Sequence, residues 1–255
     1  MRDFFNLDGN IAIVTGASGG LGRHFSEVLA GAGAIVCVAA RRLERVNETI
    51  NGIESLGGRA FGFEMDVTNM VSVESTFELI EKDIGPVTIV INNAGIASSK
   101  LAMNMEVDDW NSVMDTNLKG AWNVALAAAQ RMVKAETDGT IVNIASILGI
   151  GISKGVMPYA VSKAGLIQMT KALALEWSRH GIRVNALAPG YVETDLSREY
   201  LVSKAGQALL KRIPQRRPAE MRELDVPLLL LASEASSYMT GSVINVDGGH
   251  LISSL

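Results

Sequence analysis

The stretch VTGASGGLG, Val14 to Gly22, joins a short apolar run to a segment of helical period. Its glycines, Gly16, Gly20 and Gly22, follow the predicted first strand and open the predicted first helix. Glycine at such a junction permits a tight turn and lets the backbone approach a pyrophosphate, whose charge then faces the N-terminus of the helix. Three residues separate the first two glycines, so the spacing differs from the common G-x-G-x-x-G. The stretch indicates either a dinucleotide site on an α/β fold or an ordinary glycine-rich turn.

The rest of the chain repeats this alternation of short apolar runs with longer segments of helical period. The runs are IAIVTG, AIVCVAA, RAFGFEMD, VTIVINNAG, GTIVNIAS, IRVNALAPG and SVINVDGG. Because they are apolar at successive positions, they indicate strands buried on both faces, as in a parallel sheet covered by helices. Helices are predicted at about 20–31, 42–56, 70–84, 107–135, 157–180 and 219–233. The predicted fold is α/β, a doubly wound parallel sheet of about seven strands with helices on both faces. Ligands of such sheets bind at the carboxyl ends of the strands.

Length and composition are those of a single domain over residues 1–255. The 255 residues are 48% hydrophobic, enough to bury a large core, and no linker-like stretch divides them. The formal net charge is -4 and the basic residues are dispersed, which argues against nucleic-acid binding. The first ten residues include polar and charged positions, unlike a signal peptide, and no uncharged run is long enough to span a bilayer. We therefore expect a cytoplasmic protein that does not bind a membrane.

The cysteine and histidine content predicts neither a disulfide nor a metal site. The single cysteine, Cys37, lies inside AIVCVAA, where a small buried hydrophobic residue is expected. The three histidines, His24, His180 and His250, are scattered without the spacing of metal ligands.

The residues after the second predicted strand bear on the choice of dinucleotide. A carboxylate at this place binds the ribose 2'-hydroxyl of NAD, but VAARRLER has Ala40, Arg41 and Arg42 there instead. An arginine can form charge-assisted bonds to the 2'-phosphate of NADP. The alternative is a solvated helix start, although arginine at a helix N-terminus opposes the helix dipole. We expect NADP(H) to be preferred, with NAD(H) possible. Glu44 falls within the following helix and is expected to face solvent.

The segment PYAVSKAG, Pro158 to Gly165, places Tyr159 and Lys163 four residues apart, on one face of a predicted helix. Alone, this pair also fits a packing aromatic and a solvated lysine. The motifs TGASGGLG, MDVT, NNAG, NIAS thirteen residues before Tyr159, and APGYVETD accompany it. In this order and spacing the chain resembles the short-chain dehydrogenase/reductase family, nearly end to end. The resemblance implies a Rossmann fold and an oxidoreductase that interconverts a ketone and a secondary alcohol.

The resemblance also implies four catalytic residues. Tyr159 would be the general acid for carbonyl reduction and the base for the reverse reaction. Lys163 would lower the pKa of that phenol and bind the ribose hydroxyls of the cofactor. Ser146 would hold the substrate oxygen, and the amide of Asn117, in DTNLKG, would help order a water that connects Lys163 to solvent.

Cofactor contacts carry over from the same motifs. Asp66 would meet the adenine, the NNAG residues would line the ribose, Pro189 and Gly190 would shape the backbone beneath the nicotinamide, and Thr194 would reach the carboxamide. The full expected set is Gly16, Ser18, Gly20, Leu21, Gly22, Arg41, Arg42, Asp66, Val67, Asn93, Ala94, Gly95, Tyr159, Lys163, Pro189, Gly190, Val192 and Thr194. Structural alternatives stay open for three residues: Asp66 as a helix cap, Asn92 as a strand-end hydrogen bonder and Thr194 as a helix cap.

Two segments are expected around the substrate. The first, residues 147–157, is largely apolar and favours a hydrophobic ketone such as a 3-oxoacyl thioester; its apolar residues are Ile147, Leu148, Ile150, Ile152, Val156 and Met157. The second is a lid at about 191–218, whose basic residues would bind a carboxylate or a phosphate of the substrate. The alternative is that they form a solvated helical face. These basic residues are Arg198, Lys204, Lys211, Arg212, Arg216 and Arg217. The alternative function is a gluconate-type sugar-acid dehydrogenase. A non-catalytic dinucleotide sensor ranks below both.

The predicted helices 107–135 and 157–180 are apolar on more than one side, beyond what one sheet face can bury. Members of the family commonly pair these helices across a twofold axis, and an apolar C-terminus such as GGHLISSL, residues 248–255, commonly joins a second contact. The expected assembly is a homotetramer, with a dimer as the alternative.

Overall fold

A computed structural model describes residues 4–253, apart from the side chains of Asp195 and Leu196. Expectations for residues 1–3 and for the last two residues of the C-terminal segment lie outside the described residues. No helix within residues 4–253 is both long and apolar enough to cross a membrane.

The described chain is built on one parallel sheet of seven strands. The strands are β1 (Ile11–Thr15), β2 (Ile35–Ala40), β3 (Arg59–Glu64), β4 (Ile89–Asn92), β5 (Gly139–Ile144), β6 (Ile182–Pro189) and β7 (Val243–Val246). They lie in the order β3-β2-β1-β4-β5-β6-β7, and every pair is parallel. The strand order reverses between β1 and β4, which places a crevice at their carboxyl ends. This confirms the predicted doubly wound Rossmann fold.

Nine α-helices connect the strands within residues 4–253. They are α1 (Gly20–Gly31), α2 (Leu43–Ser55), α3 (Met70–Asp83), α4 (Val107–Met114), α5 (Gly120–Lys134), α6 (Met157–Trp177), α7 (Asp195–Val202), α8 (Lys204–Leu210) and α9 (Asp225–Ala232). The single helix predicted at 107–135 is α4 and α5 joined by a π-helical turn, Asp115–Lys119. The helix predicted at 219–233 begins later, because a 3-10 turn, Met221–Leu224, precedes α9. Helices α7 and α8 lie inside the segment predicted as a lid.

Two apolar layers cover the faces of the sheet. Phe25 and Leu29 of α1, with Leu228 of α9, pack on one face, while Phe77 of α3 and Val124 of α5 pack on the other. The central strands are buried on both faces as predicted, but the edge strands β3 and β7 are partly exposed. The sheet therefore presents the ends of its central strands as a fixed platform for the site.

Cys37 is fully buried in β2. Burial raises the pKa of its thiol to about 12, so the thiolate is scarce at neutral pH. The expected packing role is confirmed.

Candidate active site

The loop after β1 packs directly against the loop after β4. Gly16 has a positive φ of 64°, and a Cβ on it would lie 2.8 Å from the Cα of Ala94. A Cβ on Gly22 would meet the carbonyl oxygen of Gly16 and the side-chain amide of Asn93. The Thr15 hydroxyl accepts hydrogen bonds from the backbone N–H groups of Asn93 (3.0 Å) and Ala94 (2.9 Å). Glycine is thus required at both positions by the close approach of the two loops.

The N-terminus of α1 fits the pyrophosphate of a dinucleotide. Gly19 caps the helix without a side-chain hydrogen bond, and no acidic residue occupies the first turn. A Cβ at Gly19 or Gly20 would meet nothing within 4 Å, so the space in front of the helix is open. The free N–H groups and the helix dipole favour an anion there. Ser18 lies partly exposed beside this space.

The ends of β2 and β3 bring Arg41 and Asp66 together. Arg41 and Arg42 are exposed just before α2. The Asp66 carboxylate accepts hydrogen bonds from the N–H (2.9 Å) and the hydroxyl (2.8 Å) of Thr68. Partial burial raises the pKa of Asp66, but these bonds and the charge of Arg41 outweigh it and hold the pKa below its usual value. The cap of α3 is Asn69 and not Asp66, so the helix-cap alternative for Asp66 is wrong.

Val67, after β3, and Asn92, at the end of β4, form hydrogen bonds with neighbouring residues inside the protein. Val67 is buried, and its carbonyl oxygen accepts a bond from the Asn123 amide (2.9 Å). The Asn92 amide donates to Asn143 (2.9 Å) and to the backbone of Ala121 (3.1 Å). Asn92 is therefore a strand-end hydrogen bonder, the structural alternative considered for it.

The π turn carries Asn117 into the protein interior. Its amide nitrogen donates to the Ile96 carbonyl (2.9 Å) and to the Ser162 hydroxyl (3.1 Å), while its amide oxygen accepts from the Ile96 N–H (2.8 Å). A Cβ on Gly95 would lie 3.3 Å from that oxygen and 3.6 Å from Nζ of Lys163. Asn117 thus fixes the loop after β4 beside Lys163.

Tyr159, Lys163 and Ser146 meet where α6 passes the end of β5. Lys163 donates from Nζ to the Ile144 carbonyl (2.7 Å), and this nitrogen lies 5.6 Å from the centre of the Tyr159 ring. The Tyr159 and Ser146 side chains are hydrogen-bonded. A Cβ on Gly149 would lie 2.7 Å from the backbone of Lys163, so the turn after Ser146 is pressed onto the helix.

Burial shifts the pKa values of Lys163 and Tyr159. It lowers the pKa of Lys163 from 10.5 to about 8. It also raises the pKa of Tyr159, an effect that Tyr191 reinforces and the hydrogen bond from Ser146 opposes. The net pKa of Tyr159 in the chain alone is raised because loss of water around the phenolate dominates; that Lys163, together with the cationic nicotinamide, lowers this pKa stays a prediction. The phenol therefore keeps its proton at neutral pH.

A cavity of about 900 Å³ opens above these residues. The expected site residues that line it are Leu21, Asn93, Gly95, Ser146, Tyr159, Lys163, Pro189, Gly190, Val192 and Thr194. Asn117 lies behind the wall, and the residues toward the ends of β2 and β3 lie outside it. Thr194 also caps α7, where its hydroxyl accepts from the Ser197 N–H (3.3 Å). Thr194 is thus a helix cap, the structural alternative considered for it, and it also lines the cavity.

The substrate side of the cavity differs from the expectation. Ile147, Leu148 and Val156 line it, whereas Ile150, Ile152 and Met157 do not, because the loop turns Ile152 outward to 93% exposure. None of the six basic lid residues lines the cavity. The lid residues that do line it include Tyr191, Ser197 and Tyr200.

Sequence reasoning missed several cavity residues. They are Ile96, Ser99, Lys100 and Leu101 in the loop after β4. Ser153, Lys154, Tyr191 and Tyr200 also line the cavity and lie inside the two segments expected around the substrate, but they were not singled out there. The available signal was position, since all follow the carboxyl ends of strands. No motif marked them.

A doubly wound sheet with an open helix N-terminus at its switch point, and a tyrosine, a lysine and a serine grouped in the adjoining cavity, defines an NAD(P)-dependent oxidoreductase. Residues 16–250 match the family described as enoyl-(acyl carrier protein) reductase. By this match and by the relatives below, the chain belongs to the short-chain dehydrogenase/reductase family.

Relatives in this family carry two kinds of name. The chain is 37% identical to 3-oxoacyl-[acyl-carrier-protein] reductase FabG of Thermotoga maritima, over 96% of this chain and 99% of the relative. It is 36% identical to gluconate 5-dehydrogenase of Gluconobacter oxydans, over 98% of each chain. A solved gluconate 5-dehydrogenase from Burkholderia cenocepacia, in complex with NADP and tartrate, superposes with a TM-score of 0.94 at 34% identity, over 99% of both chains.

Proposed function

We propose that this enzyme interconverts a ketone and a secondary alcohol, with NADP(H) as cofactor and Tyr159 as general acid and base. The observation that carries the proposal is the convergence of Tyr159, Ser146 and Lys163 on one cavity beside the open N-terminus of α1. The cofactor, when bound, supplies or accepts the hydride.

The residues divide the remaining work. The Ser146 and Tyr159 hydroxyls, already hydrogen-bonded to each other, bind the carbonyl oxygen and stabilise the charge that develops on it. Because burial raises the pKa of Tyr159, its proton is present at neutral pH and can pass to that oxygen. Lys163 holds its buried ammonium against the Ile144 carbonyl and offers its other N–H groups to the cofactor ribose.

Asn117 is proposed as a positioning residue. The expected role was to order a water with its side-chain amide, but both ends of that amide are engaged with Ile96 and Ser162. The proposal is that Asn117 holds the Gly95–Ile96 backbone at the distance from Lys163 that the site requires.

The proposed preference for NADP(H) rests on Arg41 and Arg42. Both guanidinium groups are exposed at the start of α2, where the 2'-phosphate of a dinucleotide lies in this fold class. The Burkholderia cenocepacia relative was solved with NADP. The ratio of NADPH to NADH specificity constants tests this preference, and a ratio favouring NADH would contradict it.

Two substrate classes fit the cavity. Its predominantly apolar wall, with Ile96, Leu101, Leu148 and Val156, supports a hydrophobic or amphiphilic ketone, and the FabG relatives make 3-oxoacyl thioesters the first candidate. The hydroxyl groups of Ser99, Ser153, Ser197, Tyr191 and Tyr200 on the same wall favour a sugar acid of the gluconate type as the second.

One panel assay separates the candidates. NADPH oxidation is followed with 3-oxoacyl thioesters, keto-sugar acids, diketones and cyclic ketones, and NADP reduction with gluconate. The largest specificity constant identifies the class. Absence of turnover with every ketone, together with bound NADPH detected by fluorescence, would instead support the dinucleotide sensor.

A further inference from the structure

The charged side chains on the cavity wall are all of one sign. Among the described lining residues are three lysines, Lys100, Lys154 and Lys163, and no aspartate or glutamate. A cavity lined by one sign of charge raises the local concentration of ligands of the opposite sign.

Two of these lysines are already engaged. Lys163 donates to the Ile144 carbonyl (2.7 Å) and belongs to the proposed catalytic group. Lys100 forms an ion pair with Asp109 at 2.6 Å, and the partner carboxylate lies outside the cavity wall. Lys154 is exposed and has no ion pair with any residue in the described part of the chain. It is therefore the lysine of this wall that remains available to an incoming anion.

The position of Lys154 connects it to the proposed reaction centre. It lies between Ser153 and Gly155, whose positive φ of 83° turns the chain back toward α6. Ser153 is hydrogen-bonded to Tyr191, and Tyr191 is close enough to Tyr159 to interact with it electrostatically. Lys154, Ser153, Tyr191 and Tyr159 thus follow one another along the same wall.

We propose that Lys154 binds a carboxylate of the substrate, so that the substrate class of this site is a short oxo acid and the corresponding hydroxy acid. The inference rests on the proposed function and, of its two substrate classes, favours the second, the acids, over the 3-oxoacyl thioesters. Lys154 adjoins Ser153, which is hydrogen-bonded to Tyr191, and lines the same cavity as Tyr159, so we expect the carboxylate to lie a few bonds from the reacting carbon. The phosphate of an acyl carrier is separated from the oxo group by a long linker and would reach beyond this wall.

Matched substrate pairs test the proposal. The specificity constants of 4-oxopentanoate and 5-oxohexanoate are each compared with those of their methyl esters, in the wild type, Lys154→Met and Lys154→Arg. The control is Lys204→Met, which removes an equal charge from a lid lysine outside the cavity wall. We expect Lys154→Met to lower the acid-to-ester ratio about ten-fold, the effect of a charged hydrogen bond reduced by solvent exposure. Lys154→Arg and the control should keep the ratio near that of the wild type.

The outcomes separate this inference from the proposed function. Equal ratios in the wild type and Lys154→Met, or an equal fall in Lys204→Met, would overturn the role of Lys154 while ester reduction upheld the enzyme activity. A loss confined to the phosphate ester of 4-hydroxybutan-2-one, measured against the parent alcohol, would show a phosphate site and overturn the oxo-acid assignment. An enzyme that reduces neither acids nor esters nor any other ketone would overturn both.

Discussion

Replacement of Lys163 by methionine should abolish activity and yet stabilise the fold. Burial lowers the pKa of Lys163 from 10.5 to about 8, so the folded protein binds this proton more weakly than the unfolded chain does. That difference corresponds to about 3 kcal/mol of destabilisation at pH 7, since each pKa unit is worth about 1.4 kcal/mol. Methionine removes this penalty but also the hydrogen bond to Ile144, worth about 1 kcal/mol. The expected net gain at pH 7 is about 2 kcal/mol.

The sign of the pH dependence distinguishes this mechanism from better packing. Between pH 8 and 10.5 the unfolded wild type carries the proton on Lys163 and the folded wild type increasingly does not. The free energy of unfolding of the wild type therefore rises with pH across this window. Below pH 8 the penalty is fully present, and above 10.5 it is gone. The advantage of Lys163→Met should thus shrink through the window and become a disadvantage of about 1 kcal/mol, the lost hydrogen bond.

Urea unfolding at fixed protomer concentration, at several values between pH 7 and 10.5, measures both quantities. Lys171→Met is the matched control, because Lys171 lies exposed on the same helix and its substitution should leave the difference from the wild type flat. Parallel stabilities of wild type and Lys163→Met over the whole range would refute the reasoning, because they would show that burial does not disfavour the charge on Lys163.

Three further predictions concern chemistry, cofactor choice and assembly. Tyr159→Phe removes the transferable proton with little change in packing, so kcat should fall by a factor on the order of 10²–10⁴. The Kd for NADPH, measured by fluorescence titration, should be unchanged. Near-normal turnover would show that Tyr159 is not the general acid and base. Arg41→Ala should lower the specificity constant for NADPH about ten-fold or more, as for a hydrogen bond to a charged group, and leave that for NADH nearly unaffected. Adding Ala40→Asp should reverse the preference. Because Arg42 can blunt the single change, the ratio of the two specificity constants is compared in the wild type, Arg41→Ala, Ala40→Asp and the double variant. Trp122 of α5 and Leu175 of α6 are 38% and 82% exposed in the single chain, which supports burial of these helices in a homotetramer. Sedimentation velocity at micromolar concentration should show the homotetramer. A dimer would leave one of the two expected contacts unformed, and a monomer alone would contradict the prediction.

The parts of the fold that the sequence predicts are those with a local cause. Successive apolar residues mark β1 and β4–β6 because both faces of those strands are buried. The glycines of VTGASGGLG mark the first turn because Gly16 and Gly22 meet another loop too closely for a side chain. Each signal acts within a few residues, and periodicity detects it.

The features that escaped prediction depend on distant partners. The π turn at Asp115–Lys119 is invisible to a helical period, since the turn is stabilised by the bonds that Asn117 makes to Ile96 and Ser162. The raised pKa of Tyr159 depends on the whole environment that excludes water from it. Likewise Ile152 and Lys154 stand two residues apart, and only the path of the loop decides that the lysine reaches the cavity and the isoleucine does not.

The cavity has a floor and walls of different origin. Its floor, with Ser146, Tyr159 and Lys163, is formed by α6 and the residues just after β5 and is tied to the sheet by the buried hydrogen bond from Lys163 to Ile144, whereas its walls come from three loops that leave the sheet after β4, β5 and β6. Exchange of a wall loop between related enzymes can therefore change which molecule is accepted while the reaction itself is preserved. The same scaffold can diversify through insertion, deletion and recombination in those loops, and grafting them in the laboratory is a direct route to altered substrate range.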